Sequence, residues 1–408
     1  MLSVDEAQKR ILATVQPMGR ETVSIPLSLG RILAEEIVSC LDFPPWDTSA
    51  MDGYAVCFAD TLGVSRVAPF RLKVIEQIPA GTMPQKMVVS GTASKIMTGA
   101  PVPVGADAIV MVEETTQDGE SVLIYGEARR DFIRYRGEVV RVGDVVLKKG
   151  VTIRPYEIAM MASLGVSDVS IGKRPRVAIL STGDELVDLH APRDAHQIYN
   201  SNGYGLAAQV EASGGVPILL GIAKDTHADL LDKLKGASDA DFILISGGVS
   251  AGDYDFVKDL FSGDVGGAFW KVAIKPGKPL AFGVIFGKPA FGLPGNPVSA
   301  MVTFDQFVRP ALLVAQGCKN PFRPTVYAAL MREIRNKPGR RHYVRGDLSI
   351  EDGVYRVMPA ERQDSANILS LVRANAFIVL GEEEGDVKAG TQVSVQIIGN
   401  PHNLSKEM

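Results

Sequence analysis

A chain of 408 residues is too long for one ordinary hydrophobic core, so two to four domains are expected. Apolar residues make up 46% and charged residues 22%, an ordinary globular composition. The formal net charge of −4 argues against a general nucleic-acid-binding surface, so any basic site must be local. No apolar run approaches the roughly 18–20 residues of a membrane span, so no membrane partner is expected.

Cys40, Cys57 and Cys318 are odd in number and scattered, without metal-ligand spacing. They read as buried or idle thiols in a reducing cytoplasm. The five histidines are equally dispersed, with no pairing that would build a zinc site.

The opening "MLSVDEAQKRILATV" places Ser3 and Glu6 at capping-box spacing, then Val4, Ala7, Ile11, Leu12 and Val15 on one face. It predicts an amphipathic helix and not a signal peptide. From about residue 46 to 150, short β-rich runs ("FRLKVIEQI", "AIVMVEET", "SVLIY", "DVVLKKG") lie between Gly and Pro punctuation. They predict a small, mostly β domain inserted into the N-terminal region. "RPYEIAMMASLGV" returns to helix, ending near Gly165.

After "GKRP" the pattern alternates. Strands are predicted at "RVAILS" (176–181), "VPILLGI" (216–222), "DFILIS" (241–246) and "PAFGLP" (289–294). Helices are predicted at 203–215, 227–237, 254–261 and 297–316. Strand and helix alternating in this way argue a parallel sheet covered by helices. From about 321 onward, "VYRVMPA", "AFIVLG" and "TQVSVQIIG" predict a small β domain or barrel. The fold class is therefore α/β plus β, in several domains.

Ligands of open α/β sheets bind beyond the carboxyl ends of the strands, where loops are free to carry polar groups. Four polar loops follow those strands: "STGDEL" (181–186), "KDTH" (224–227), "SGGVSAGDYD" (246–255) and "LPGNP" (293–297). "SGGVSAGD" leads into a helix and fits either a phosphate cradle or a plain glycine-rich turn. Asp184, Glu185, Asp225 and Asp255 sit on neighbouring loops. Hard cations such as Mg²⁺ take such oxygen ligands and bridge to phosphate, although Asp184 could equally cap the next segment and Asp225 could pair with Lys224.

"FWKVAIKPGKPLAFG" (269–283) gathers Lys271, Lys275 and Lys278, with Pro276 and Pro279 stiffening the backbone between them. Their mutual repulsion, about 1 kcal/mol per pair at partly solvated distances, is relieved by an oxyanion or by solvation of a basic edge. "PPWDTSAMDGYAV" (44–56) and "IMTGAPVPVGADAIV" (96–110) are loops by composition alone.

Seven segments, in order, resemble the molybdopterin molybdenumtransferase family of the MoeA and gephyrin E-domain type. They are "SAMDGYAV", "TGAPVPVGADAIVMVEET", "RVAILSTGDELV", "IYNSNGYGLAA", "SGGVSAGDYDF", "FWKVAIKPGKPLAFG" and "GLPGNPVSA". The resemblance spans nearly the whole chain. It implies an enzyme that takes adenylylated molybdopterin and molybdate, releases AMP with Mg²⁺ and leaves molybdenum on the dithiolene. It also implies a cytoplasmic homodimer working beside other molybdenum cofactor biosynthesis proteins. Each chain would have a discontinuous first domain (1–45 and 146–173), an inserted domain (46–145), an α/β module (174–320) and a C-terminal β domain (321–408).

By motif match, Asp52 and Thr98 would face the other subunit's cleft and act with Glu185, Asp255, Lys271 and Lys275 in catalysis. Asp184, Glu185, Asp225 and Asp255 would serve the metal and phosphates. Ser246, Gly247, Gly248 and Ser250 would form the phosphate loop, and Lys278 would hold an anion. Ser181, Thr182, Gly183, Pro294, Asn296 and Pro297 would complete the substrate loops. "GRRHYVRG" and "QDSANILS" resemble segments that would give Arg345 and Ser365 to a molybdate pocket, although "QDS" stands where the family more often has "QSS".

A clearer departure lies in "RYRGEVV", where the family commonly reads Arg-x-x-Gly-Glu-Asp. Val139 occupies the acid's position, and Glu138 or Asp144 is the available stand-in. Two rival readings are a molybdopterin adenylyltransferase, which would need only the 174–320 module, and a scaffold that kept the fold without the chemistry.

Overall fold

The computed structural model describes residues 1–248, 260–261 and 268–403. The chain divides into two compact units, Met1–Ala34 with Gly150–Arg154 and Asp168–Met408, and Glu35–Lys149 with Pro155–Ser167.

The centre of the larger unit is a six-stranded sheet. Its order is Val216–Ala223, Arg176–Thr182, Phe242–Ser246, Lys288–Leu293, Pro279–Ile285 and Ala268–Lys271. The first four strands are parallel, Pro279–Ile285 runs against them, and Ala268–Lys271, antiparallel to Pro279–Ile285, runs with them again. The strand and helix alternation does not predict that antiparallel edge. Pro279–Ile285 returns through a tight turn at Phe286 and Gly287 and pairs with Lys288–Leu293 as a hairpin.

Side chains alternate across the sheet. Val177, Ile179, Phe242 and Leu244 enter one core, while Ala178, Leu180, Ile243 and Ile245 enter the other. A strand buried on both faces needs an unbroken apolar run, which "RVAILS" and "DFILIS" supply. Helix Ser201–Ala212 places Leu206 and Val210 in the first core, and helix His227–Leu234 places Leu230 and Leu234 in the second. The helix Pro297–Ala315 is long and apolar enough to cross a bilayer, yet 78% of it is buried here, as a core helix. The N-terminal helix Val4–Thr14 adds Val4, Ala7 and Ile11 to the first core. Ser3 caps it by accepting the Glu6 N–H at 3.2 Å, while the Glu6 carboxylate turns to Arg10.

Past the long helix, five strands close into a barrel in the order Thr325–Leu330, Val354–Pro359, Arg341–Glu351, Ala376–Leu380 and Gln392–Ile397. Ala328, Val344, Leu348, Val357, Ile378 and Val395 fill it. Tyr343 and Phe377 face outward into the first core of the α/β module, so the barrel and the sheet share apolar packing. The short strand Ile274–Lys275 also pairs in parallel with Arg341–Glu351, bringing the lysine segment against the barrel.

In the smaller unit a second six-stranded sheet has the order Ala108–Met111, Gly53–Val56, Thr92–Ile96, Phe70–Ile78, Ser121–Ile124 and Thr115–Asp118. Tyr54, Val56, Leu72 and Val110 pack on one face, and Ala55, Ile78, Ile96 and Ile109 on the other.

Candidate active site

The parallel strands end in register: Thr182 lies beside Ala223, Ser181 beside Ser246, and Ser246 beside Leu293. The loops that follow open onto one cavity of about 1160 Å³ in the larger unit. It lies where strand order reverses around Arg176–Thr182, the position at which open α/β sheets leave a crevice. Of the residues singled out in the sequence, its wall carries Ser181, Thr182, Gly183, Glu185, Asp225, Ser246, Gly247, Gly248, Lys275, Lys278, Pro294, Asn296, Pro297 and Ser365. Ser250 and Asp255 lie outside the described residues.

One side of the cavity is acidic. The Thr182 hydroxyl donates to Asp225 Oδ1 at 3.0 Å, and the Asp225 N–H donates to Asp184 Oδ1 at 3.3 Å. Gly183 makes room for Glu185, because a Cβ there would stand 2.5 Å from Glu185 Oε2. Among the described residues no three acids, histidines or cysteines converge tightly enough to enclose a metal unaided. The donor set is all oxygen and open on one side. This fits Mg²⁺, which keeps several waters and completes its shell with substrate phosphate.

Other residues of the wall are cationic. Lys275 and Lys278 lie on the wall with Arg340, and the long helix presents its N-terminal Pro297 there. Burial, then Arg340, Arg345 and Lys337, hold the Lys275 ammonium below its ordinary pKa. Behind Asp364 and Ser365 lies Arg345, with no solvent exposure. Its Nε donates to the Ser370 hydroxyl at 3.1 Å and its Nη2 to the Asp364 carbonyl at 3.0 Å, while Nη1 has no partner. Burial pushes its pKa down to about 10, against the influence of Asp364. A helix N-terminus, two lysines and a buried arginine suit an oxyanion. Lys271 differs from the other two lysines in being absent from the cavity wall. Its carbonyl accepts the Leu2 N–H at 3.0 Å.

In the smaller unit, Asp52 precedes Gly53–Val56 and Thr98 follows the antiparallel neighbour Thr92–Ile96, so pairing of Gly53 with Ile96 brings them together. Asp52 Oδ1 accepts the Thr98 N–H at 2.6 Å and the Thr98 hydroxyl at 2.8 Å, and these bonds hold its carboxyl below the usual range. Val139 is 63% exposed. Both stand-in acids serve their own turns: Glu138 Oε2 accepts the Tyr135 N–H and Asp144 Oδ2 the Arg141 N–H, each at 2.8 Å.

Several wall residues carry no clear signal in the sequence. Asn202 Nδ2 donates to the Ser246 hydroxyl at 2.9 Å and the Gly295 carbonyl at 2.8 Å, joining three loops. Asn200 caps helix Ser201–Ala212 and accepts the Ser181 hydroxyl at 2.8 Å. Both stand in "IYNSNGY", part of a segment matched to the family above, but that match assigns neither of them a role, and Asn200 alone is hinted at as a helix cap. Arg340 and Gln363 come from barrel loops, and the Gln363 side chain accepts the Arg345 N–H at 3.0 Å. Both lie in the segments "GRRHYVRG" and "QDSANILS" matched above, where the resemblance singles out only Arg345 and Ser365.

Comparison with known proteins covers the same ground. Residues 2–165 match the model of the MoeA N-terminal region (domains I and II), 178–314 that of a probable molybdopterin binding domain, and 327–398 that of the MoeA C-terminal region (domain IV). Molybdopterin molybdenumtransferase 2 of Mycobacterium tuberculosis is 39% identical over 97% of this chain and 99% of its own. The molybdopterin molybdenumtransferase of Nostoc sp. is 38% identical over 92% of this chain and 88% of its own. The crystal structure of the molybdopterin biosynthesis MoeA protein of Pyrococcus horikoshii aligns with a TM-score of 0.84 and 31% identity, covering 97% of this chain and all of that one. A single-module adenylyltransferase would leave the two flanking matches without a role. The chain belongs to the molybdopterin molybdenumtransferase (MoeA) family.

Proposed function

We propose that this protein transfers molybdenum from molybdate to the dithiolene of adenylylated molybdopterin and releases AMP. The observation that carries the reading is one cavity whose wall carries both acids, Glu185 and Asp225, and cations, Lys275, Lys278 and Arg340. A substrate bearing phosphates, together with a tetrahedral oxyanion, requires both.

In this reading the backbone at Gly247 and Gly248 and the N-terminus of the long helix receive the phosphates. Lys275 and Arg345 hold molybdate, with Ser365 at its edge. Asp184, Glu185 and Asp225 would hold Mg²⁺, which when bound neutralises phosphate charge and makes AMP a better leaving group. Lys275 and Lys278 offset the charge that accumulates as the phosphoanhydride opens to water. Glu185 and the Asp225–Thr182 pair keep the pterin phosphate in line for that step.

The family resemblance also supports a cytoplasmic homodimer of four-domain chains, in which Asp52 and Thr98 act on the partner's cleft. Incubation with adenylylated molybdopterin, Mg²⁺ and molybdate should release AMP, and omission of Mg²⁺ should stop it. Absence of AMP release from folded protein would overturn the proposal.

A further inference from the structure

Ser181 and Ser246 end adjacent parallel strands side by side, and both line the cavity. Both are nearly buried, so each hydroxyl answers to fixed neighbours more than to bulk water. Each is bonded to an asparagine at the start of helix Ser201–Ala212, and the two bonds run in opposite senses.

Asn200 Oδ1 accepts the Gly203 N–H at 3.0 Å as the helix cap, so the atom facing Ser181 is an acceptor. The Ser181 hydroxyl donates to it at 2.8 Å, and its proton is committed to the protein. Asn202 is turned the other way. A backbone carbonyl only accepts, so the atom 2.8 Å from the Gly295 carbonyl oxygen is Nδ2. The second hydrogen of that Nδ2 goes to Ser246 Oγ at 2.9 Å. Asn202 Oδ1 is buried without a partner among the described residues, so the donors alone set the amide's orientation. Ser246 Oγ is therefore an acceptor toward Asn202, and its own proton meets no acceptor among the described residues.

We propose that Asn202 is a positioning residue: by donating to Ser246 Oγ it turns the Ser246 proton into the cavity, as a hydroxyl donor to a phosphate oxygen of the substrate. Ser181, whose proton Asn200 holds, offers only lone pairs and would meet a donor instead. Hydrogen bonds to an ionised acceptor are about twice as strong as neutral ones, so a hydroxyl of fixed sense favours phosphate over one free to turn. Through Gly295, Asn202 also ties this donor to the loop that opens the long helix. The proposal rests on the phosphate assignment made above, and it concerns binding alone, not AMP release.

The test measures calorimetric binding of two phosphate monoesters, AMP and molybdopterin, to the intact protein in wild type, Asn202→Ala, Ser246→Ala and the double variant. Circular dichroism and melting temperature confirm the folds, and Asn202→Ser is a second truncation. The probe whose affinity falls identifies which phosphate Ser246 meets. For that probe Ser246→Ala should weaken binding roughly ten- to hundredfold, the worth of one charge-assisted hydrogen bond. Asn202→Ala should weaken it by about threefold or more, since the hydroxyl is then free to turn among its three staggered positions. The double variant should bind within about twofold of Ser246→Ala, because Asn202 has nothing left to orient. A residue that merely holds the loops together would weaken binding by the same factor with or without the Ser246 hydroxyl. Losses that multiply, a wild-type affinity for both probes in Asn202→Ala or in Ser246→Ala, or no binding of either probe to wild type would each overturn the proposal. AMP release measured in parallel separates this result from the proposed reaction, since either can fail while the other stands.

Discussion

Arg341 grips Asp5 with both arms of its guanidinium, Nη1 to Oδ1 at 2.6 Å and Nη2 to Oδ2 at 2.7 Å. The pair ties the N-terminal helix to the barrel strand beside the lysine segment. Next to it, the Arg341 N–H donates to the Ala273 carbonyl at 2.7 Å, and the Ala273 N–H donates to the Leu2 carbonyl at 2.7 Å. The first residues of the chain therefore brace the backbone that carries Lys275.

Asp5→Asn should lower stability by about 1 kcal/mol or less, because the Asp5 side chain is largely exposed and solvent screens the pair. The hydrogen bond from Arg341 holds the Asp5 carboxyl below its usual value, against the effect of burial. Its contribution is therefore complete above the unfolded carboxyl pKa of about 3.9 and is lost as pH falls through the native value. Melting temperature against pH should show a wild-type advantage that is constant near neutrality and vanishes in acid. An advantage that persists in acid would mean that packing, not charge, explains the loss.

Gly277 turns the chain between Pro276 and Lys278 at φ +103°, and a Cβ there would stand 2.4 Å from Thr303 Cγ2 on the buried long helix. Gly277→Ala should cost about 1–3 kcal/mol and shift the turn that presents both lysines. Gly287 is also at positive φ, but a Cβ there meets open space. Gly287→Ala should therefore cost less and leave anion binding unchanged. Equal losses in the two variants would remove the contact with Thr303 as the cause.

Much of this architecture is legible in the sequence, for physical reasons that differ between regions. Strands such as Phe242–Ser246 are buried on both faces and so carry unbroken apolar runs. The antiparallel edge is less visible, because Pro279–Ile285 has the same apolar texture whichever way it runs. Lys275 and Lys278 stand out because like charges close in sequence need an explanation. Arg345 is reached only through the resemblance of "GRRHYVRG", since its burial depends on a barrel that closes through distant pairings. Asn200 and Asn202 act through loops brought together by the sheet, and composition cannot register that. Lys271 shows the converse: near Lys275 in sequence, it lies off the cavity wall.

The exposed Val139 stands where the family resemblance implies an acid, and its neighbours Glu138 and Asp144 are each engaged with a turn amide. Val139→Asp should therefore speed AMP release. A new charge-assisted hydrogen bond in the transition state is worth about 1.5–3 kcal/mol, or roughly ten- to hundredfold. A flat Val139→Asp together with a crippled Glu138→Gln or Asp144→Asn would instead assign the role to the acid already present.

If Asp52 serves the partner's cleft, Asp52→Ala and Lys275→Ala are each impaired in AMP release at limiting molybdate but complement when mixed. Verified heterodimers should recover a share of wild-type AMP release, from the one cleft that retains both residues. Heterodimers that stay as impaired as the single variants would place Asp52 and Lys275 in the same subunit's site.

The central claim is that the cationic wall at Lys275 holds the oxyanion consumed in the reaction, and Lys275→Ala tests it most directly. AMP release should be followed against molybdate concentration in wild type and variant, with circular dichroism confirming the fold. Removing one charge-assisted hydrogen bond, about 1.5–3 kcal/mol, should raise the molybdate concentration for half-maximal rate roughly ten- to hundredfold. An unchanged molybdate dependence in a folded Lys275→Ala variant would contradict the claim.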